Sequence, residues 1–128
     1  MKQQITDEIR IKFLRDKLEH NAHYAVKAMY RIFSENQTEH EQDSEETTED
    51  NGIGFTGTDA KWLSSFSKQV ERKHRANPDA PWGCLLSVRQ MPIVFHKMPK
   101  YARQVLIRFV KTNPDDLKKL DEKILQAI

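Results

Sequence analysis

Apolar residues recur at helical spacing from the start of the chain. Ile9, Phe13, Leu14 and Leu18 are separated by four, one and four residues, which places them on one face of an α-helix. Thr6 precedes this stripe and carries the kind of hydroxyl side chain that commonly caps a helix N-terminus. The pattern predicts a first amphipathic helix after Thr6.

A second apolar stripe follows a break at Asn21, which is also a good N-cap residue. Its members are spaced one, three, three and one residues apart: Ala25, Val26, Met29, Ile32 and Phe33. Two amphipathic helices separated by one short break predict an N-terminal helical hairpin over residues 1–33.

Another amphipathic pattern lies near the middle of the chain. Thr58 offers a hydroxyl cap, and Asp59 places a negative charge at the positive end of the helix dipole. We therefore predict a central helix that begins after Thr58. Its apolar face consists of Trp62, Leu63, Phe66 and Val70.

The next helix signal is the sequence S-x-x-Q. Ser87 and Gln90 match a capping box, which predicts a helix that starts at Ser87. Val88 would then lie on the buried face of that helix. Pro92 would lie one turn inside it, where it removes a backbone hydrogen bond and bends the segment.

Two prolines mark the remaining boundaries. Met98-Pro99 and Asn113-Pro114 each predict the start of a helix, because proline is tolerated at the first helical position. No convincing strand pattern occurs. The sequence thus predicts an all-α fold, a compact bundle of about six short helices.

Small residues are concentrated just before the central helix, where three of the four glycines lie within six positions. Glycine adopts positive φ at little steric cost, so the cluster predicts a specific tight turn. The residues of this structural turn are Asn51, Gly52, Gly54, Phe55, Gly57 and Asp59, and we expect Phe55 to be buried in the core. The glycines also match G-x-G-x-x-G. However, the preceding acidic residues cannot form the buried strand that a dinucleotide site needs.

Charge is distributed unevenly along the chain. Residues 34–50 contain eight acidic residues and no Lys or Arg. Such a segment cannot bury enough apolar surface to order itself, so it predicts a mobile acidic loop. We divide the chain, as one domain, into the hairpin 1–33, the acidic loop 34–50 and a helical core 51–128. The loop is either a solvated connection or an imitation of nucleic-acid charge.

The rest of the chain is basic, and residues 59–111 hold eleven basic and three acidic residues. Lys and Arg bind phosphates without reading base sequence, and aromatic rings stack on bases. The alternative is an ordinary solvated basic surface. The candidate residues for nucleic-acid or partner binding are Lys68, Arg72, Lys73, Arg75, Trp82, Lys97, Lys100, Tyr101, Arg103, Gln104, Arg108 and Lys111. Trp82 is otherwise a cover over the core.

Several functional classes receive no support from the sequence. The lone cysteine, Cys84, excludes an internal disulfide, and its apolar neighbours predict that it is buried. No apolar run is long enough to span a membrane or to form a signal-peptide core. We expect a cytoplasmic protein without catalytic residues, metal or cofactor, because no such constellation stands out.

Three segments together resemble a small, largely uncharacterised family carried by phages and plasmids, whose module also occurs beside phage helicase domains. They are NGIGFTGTDAKWLSSFSKQ, LLSVRQM and KMPKYARQV, which follow the pattern N-G-x-G-F-x-x-x-D-A, L-S-x-x-Q and K-Y-x-x-Q over about residues 51–105. The resemblance points to Asn51, Gly52, Gly54, Phe55, Asp59, Ser64, Gln69, Gln90, Lys100, Tyr101 and Gln104.

Two hypotheses follow. The first is a non-catalytic accessory protein of a mobile genetic element that binds single-stranded or forked DNA through a basic helical face. The second is a protein-binding inhibitor of a host defence complex, of the anti-CRISPR or anti-restriction type. The sequence does not indicate an oligomeric state.

Overall fold

The computed structural model describes residues 4–36 and 55–127. The α-helices within these ranges are α1 (Asp7–His20), α2 (Ala22–Asn36), α3 (Gly57–Ala76), α4 (Met91–Lys97), α5 (Ala102–Val105) and α6 (Pro114–Ala127). Two 3₁₀ turns, Trp82–Cys84 and Met98–Tyr101, and a π-helical segment, Leu106–Val110, complete the described structure. The described residues contain no strand, so the all-α prediction is confirmed.

The first two helices form where their capping residues predict. The N–H of Ile9 donates to Thr6 Oγ1 at 3.3 Å, and the N–H of Tyr24 donates to Asn21 Oδ1 at 2.9 Å. Each cap satisfies an amide that has no partner within its helix. The second helix continues to Asn36, three residues past the predicted end of the hairpin.

The core is built from every long helix and from residues 98–110, which form one nearly continuous helical stretch through Met98–Tyr101, α5 and the π segment. Helix α1 contacts α2, α4, α6 and this stretch, so it lies at the centre of the bundle. The largest fully buried side chains are Phe55, Leu14, Leu18, Met29, Ile32, Leu63, Met98, Leu106, Ile124, Val26 and Val70. The hairpin stripe is thus mostly buried as predicted.

The start of α3 corrects the predicted cap. The helix begins at Gly57 with Thr56 at the N-cap position, so Thr58 lies inside the first turn. Gly57 has a φ of +44°, a conformation that side chains with a Cβ rarely adopt. The N–H of Asp59 donates to the Thr56 carbonyl oxygen at 2.9 Å, which closes the first turn two positions earlier than the hydroxyl of Thr58 suggested.

Both hydrogen bonds of the predicted capping box are present, but the predicted start of the helix is wrong. Ser87 N–H donates to Gln90 Oε1 at 2.9 Å, and Gln90 N–H donates to Ser87 Oγ at 3.2 Å. These bonds close a turn, and α4 begins only at Met91. Val88 consequently lies outside the helix and is 88% exposed, not buried. Pro92 occupies the first turn of α4, where its missing N–H is tolerated and no bend is required.

The turn before Ser87 explains why Cys84 is exposed, contrary to prediction. Gly83 is the residue that meets the start of α2. A Cβ built on it would lie 3.0 Å from both the Cβ of Ala22 and the backbone nitrogen of His23. Because Gly83 makes the close contact with α2, the adjacent Cys84 does not take part in it and lies at the surface.

Some predictions concern residues outside the described ranges. Most of the acidic segment 34–50 and the turn residues Asn51, Gly52 and Gly54 lie there. The division into 1–33, 34–50 and 51–128 therefore stays a prediction. No helix in the described part of the chain combines the length and apolarity that crossing a membrane requires.

Candidate nucleic-acid interface

A buried carboxylate lies where α3 meets the stretch 98–110. Asp59, in the first turn of α3, is only 4% exposed. Its Oδ2 accepts a hydrogen bond from the Tyr101 hydroxyl at 2.8 Å, and its Oδ1 accepts one from Lys97 Nζ at 3.0 Å. Lys100 forms a further ion pair with Oδ2. A buried carboxylate needs such partners to offset the loss of hydration.

The surroundings of Asp59 decide its charge. Burial raises the pKa of this carboxyl, but hydrogen bonds from Lys100, Lys97 and Tyr101 outweigh burial and hold the pKa below its usual range. Burial raises the pKa of Tyr101 to about 12, despite the opposing hydrogen bonds from Thr56. At neutral pH the pair is therefore a charged acceptor and a neutral donor.

Tyr101 also contacts residues 55 and 56, which immediately precede α3. The N–H of Thr56 donates to the Tyr101 hydroxyl oxygen at 3.1 Å. The ring of Phe55 contacts that of Tyr101 edge-on, with centroids 5.6 Å apart, and Phe55 is fully buried as predicted. Tyr101 itself is 2% exposed. Its ring is therefore not available for base stacking, and its predicted role in binding is replaced by a structural one.

A second polar pair joins α3 to the turn before α4. Gln69 and Gln90 exchange two hydrogen bonds of 3.0 Å between their side-chain amides. Gln69 Nε2 also lies 3.3 Å from the carbonyl oxygen of Leu85. Because Gln90 Oε1 accepts from Ser87 as well, the glutamine pair holds the capping turn against α3.

Three of the exposed basic residues line a shallow depression of about 290 Å³ on the stretch 98–110. Their positions recur at helical spacing, which places them on one side of the stretch. The lining consists of Lys100, Arg103, Gln104, Ile107 and Arg108. Ile107 is 44% exposed among these cations, and sequence reasoning missed it because an isolated isoleucine carries no surface signal.

The basic residues of α3 form a separate group. Lys68, Arg72 and Arg75 are spaced four and three residues apart and so share one side of the helix, whereas Lys73 lies on another. Arg75 pairs with Glu71, which offsets its charge. The described contacts do not bring this group to the depression. The sequence-predicted basic residues are thus distributed over at least two surfaces.

Two other predicted binding residues have structural partners. Lys111 Nζ lies 2.8 Å from Asp7 Oδ2, in a network where Arg10 bonds both Asp7 and Asp121. Lys111 is therefore paired with a carboxylate and does not line the depression.

Trp82 contacts two other rings. It stacks on His74 with centroids 4.4 Å apart and contacts Tyr30 at 5.6 Å. The indole packs against the core, which favours the interpretation of Trp82 as a core cover.

The arrangement offers charge and hydrogen bonds. Within the described ranges, no group of three or more His, Cys, Asp or Glu side chains is placed to hold a metal ion. In the cluster at Asp59, the donors and acceptors bond one another. The role that this geometry supports is to position Lys100 at the edge of the depression.

Comparison of the chain with protein-family models, with curated proteins and with solved structures finds no match. The resemblance to a phage- and plasmid-borne family therefore stays a prediction. Of the positions that it singles out, Asp59, Lys100 and Tyr101 meet at one cluster and Gln69 and Gln90 at another.

Proposed function

We propose that this protein is a non-catalytic, cytoplasmic accessory of a phage or plasmid that binds single-stranded or forked DNA through the depression on residues 98–110. The main observation behind this proposal is that three cationic residues, Lys100, Arg103 and Arg108, line one depression together with Gln104. Two of them, Arg103 and Arg108, have no ion-pair partner among the described residues, so their charge is available to phosphates.

The cluster at Asp59 supports this proposal because it positions Lys100 at the edge of the depression. Lys100 is 55% exposed yet is held at one end by the buried carboxylate. This ion pair offsets much of the charge of Lys100, so the lysine borders the depression without supplying its main charge. Arg103 and Arg108 would supply most of the binding charge. Readout of base sequence is not expected, since no helix in the described part shows a recognised DNA-reading motif.

The test is fluorescence anisotropy with a labelled single-stranded oligonucleotide across a series of salt concentrations. We expect affinity to fall steeply with salt, because phosphate neutralisation releases counterions. The double variant Arg103→Gln/Arg108→Gln should bind more weakly and reduce the salt slope by about 1.4, at roughly 0.7 per phosphate contact on a single strand.

The matched control removes two charges elsewhere. Lys12 and Arg15 are exposed on α1 and lie outside the depression. Lys12→Gln/Arg15→Gln should leave affinity and slope close to wild type. Equal weakening in both double variants would show that net charge alone attracts DNA, and the proposed surface would be wrong.

One observation favours the alternative, a protein-binding inhibitor of a host defence complex. Ile107 is exposed among the cations, and apolar side chains surrounded by charge are common in protein interfaces. Under this alternative free DNA binds poorly, and a nuclease or surveillance complex is retained by the wild type but lost by Ile107→Ser. Under the DNA-binding proposal, Ile107→Ser changes DNA affinity little.

A further inference from the structure

A second cavity lies on another part of the molecule, between α1, α2, the π segment and α6. Its volume is about 440 Å³, within the range typical of small-molecule sites. It shares no lining residue with the depression at Lys100 and Arg108. Its floor is apolar and includes Leu14, Phe109 and Leu120, all of which belong to the core.

The lining of this cavity is strongly cationic. Five basic side chains line it, and Asp116 is the only carboxylate among the lining residues. Two come from α2 and two from α6, so the fold assembles the charge from distant sequence positions. The basic residues are Lys17, Lys27, Arg31, Lys119 and Lys123.

Most of this charge is not balanced by the protein. Lys17, Lys27, Lys119 and Lys123 have no ion pair within 4 Å among the described residues. Like charges around a low-dielectric cleft repel one another and raise the local concentration of anions. The cavity therefore presents a site where a multiply charged anion relieves repulsion.

Aromatic side chains accompany the cations. Arg31 lies over the ring of Phe109 at 4.5 Å, and Lys17 lies over the ring of Phe13 at 5.3 Å. Tyr24, half-buried at the same cavity, has its pKa raised to about 12 by burial and by Asp116, so its hydroxyl is a neutral hydrogen-bond donor. An apolar, partly aromatic floor below a ring of cations suits a ligand with one flat apolar end and one polyanionic end.

We propose that this cavity binds a nucleoside di- or triphosphate, with the base against Phe13 and Tyr24 and the phosphates at the lysines. A fatty acid has one negative charge and would leave most of the cationic ring uncompensated. An inorganic polyphosphate would compensate the ring but leave the apolar floor in contact with water. A nucleotide satisfies both requirements in one molecule. The site is independent of the proposed DNA-binding surface.

The first experiment is isothermal titration calorimetry of the full chain with ATP, ADP, tripolyphosphate and dodecanoate. We expect ATP and ADP to bind, with ATP tighter than tripolyphosphate by about tenfold because stacking of the base adds to phosphate binding. Absence of ATP binding at millimolar concentration would overturn the proposal. Equal binding of tripolyphosphate, or tighter binding of dodecanoate, would assign the cavity to a different ligand and overturn it too.

The second experiment locates the site. Lys27→Gln/Lys119→Gln removes two exposed lining lysines and should weaken ATP binding by about tenfold or more, since each phosphate contact is charge-assisted. The matched control, Lys12→Gln/Lys118→Gln, replaces exposed lysines of α1 and α6 that do not line the cavity. Equal weakening by the control would overturn the assignment.

A third variant separates this site from the DNA-binding surface. Arg103→Gln/Arg108→Gln should leave ATP affinity unchanged, because neither arginine lines the cavity. Ala28, a buried lining residue, provides a steric test: Ala28→Leu should reduce ATP binding while circular dichroism shows a retained helical spectrum. Should Ala28→Leu fail to fold, Lys123→Gln, at an exposed lining position, decides the same point by charge.

Discussion

The Tyr101 hydroxyl donates a 2.8 Å hydrogen bond to Asp59 Oδ2, although the two residues are 42 positions apart in the sequence. The same phenol oxygen accepts the N–H of Thr56 at 3.1 Å. One side chain therefore fixes the first turn of α3 and the N-cap residue before it at the same time. Lys97 and Lys100 complete the bonding of the carboxylate and connect this structural cluster to the proposed DNA-binding surface.

Removal of the Tyr101 hydroxyl should destabilise the fold. Tyr101→Phe keeps the ring contact with Phe55 but leaves the N–H of Thr56 without its acceptor and removes one of the donors to Asp59. We expect a loss of about 1–3 kcal/mol in the free energy of unfolding, the usual cost of unpaired buried polar groups. Urea denaturation followed by circular dichroism measures it.

Tyr30→Phe is the control for that measurement. Tyr30 contacts Trp82 through its ring, but its hydroxyl makes no hydrogen bond within the described part of the chain. We expect its unfolding free energy to stay within about 0.5 kcal/mol of wild type. If both variants lose the same stability, the phenol of Tyr101 is not the connection that we describe.

Acid should weaken the fold through Asp59. Its pKa is lower in the folded protein than in the unfolded chain, so the folded state binds fewer protons there. The resulting stabilisation is present above the unfolded pKa, near 4, and is lost as pH falls through the folded pKa. Asp59→Asn should therefore be less stable than wild type by about 2 kcal/mol at neutral pH, with a smaller difference in strong acid.

The measurement is urea denaturation of both proteins across that acidic range. Asp79→Asn serves as the control, because Asp79 is exposed and has no ion pair in the described structure. Its difference from wild type should be small at every pH. A constant difference between wild type and Asp59→Asn would contradict the assignment of charge to Asp59.

The glutamine pair should behave as one unit. Gln69→Ala leaves Gln90 Nε2 without its acceptor. Gln90→Ala leaves Gln69 Oε1 without its donor and also removes the acceptor of Ser87 N–H. We expect each to cost about 1–2 kcal/mol and the double variant to cost less than their sum by at least about 0.5 kcal/mol. A double-mutant cycle by urea denaturation measures the coupling, with exposed Gln126→Ala as the control. Strict additivity would show that the two amides are not coupled.

Gly83 should not tolerate a side chain. An added Cβ would lie 3.0 Å from the Cβ of Ala22 and from the backbone nitrogen of His23, and the backbone cannot move away cheaply. We expect Gly83→Ala to destabilise by about 1–3 kcal/mol, as overpacking usually does. Thermal unfolding checks this. The neighbouring Cys84→Ala is the control, because Cys84 is exposed and its truncation should have little effect.

Local signals in the sequence were sufficient for the first two helices. The caps at Thr6 and Asn21 and the stripe from Ala25 to Phe33 need only neighbouring residues to specify them, and the structure contains all of them. Predictions failed where a distant residue decides the outcome. The side chains of Gln69 and Gln90 pair across 21 positions, a contact that a local capping-box pattern does not reveal.

Contacts between distant residues also limited the prediction of the candidate site. A count of Lys and Arg does not reveal which of them have carboxylate partners, because several of those partners come from other helices. Asp59 bonds Lys97 and Lys100, and Asp7 bonds Lys111, across separations of 38 residues or more. The pattern of charges predicted a basic surface, whereas tertiary pairing restricts the accessible cations to fewer positions.

Lys111 and Arg108 are three residues apart and provide a direct test of that distinction. Lys111 is paired with Asp7, whereas Arg108 lines the depression and has no ion-pair partner in the described ranges. Arg108→Gln should weaken single-stranded DNA binding about threefold or more and leave unfolding unchanged, because a lost phosphate contact costs binding only.

Lys111→Gln should show the reverse behaviour. Its exposed ion pair stabilises the fold only weakly because water screens it, and its loss should leave DNA affinity nearly unchanged. Anisotropy titrations and urea denaturation of both variants give the two readouts. Equal losses of DNA affinity would mean that Asp7 does not withhold Lys111 from phosphate, and the binding surface would extend to the end of the π segment. The comparison therefore decides whether ion pairing, and not position along the chain, selects the residues that bind.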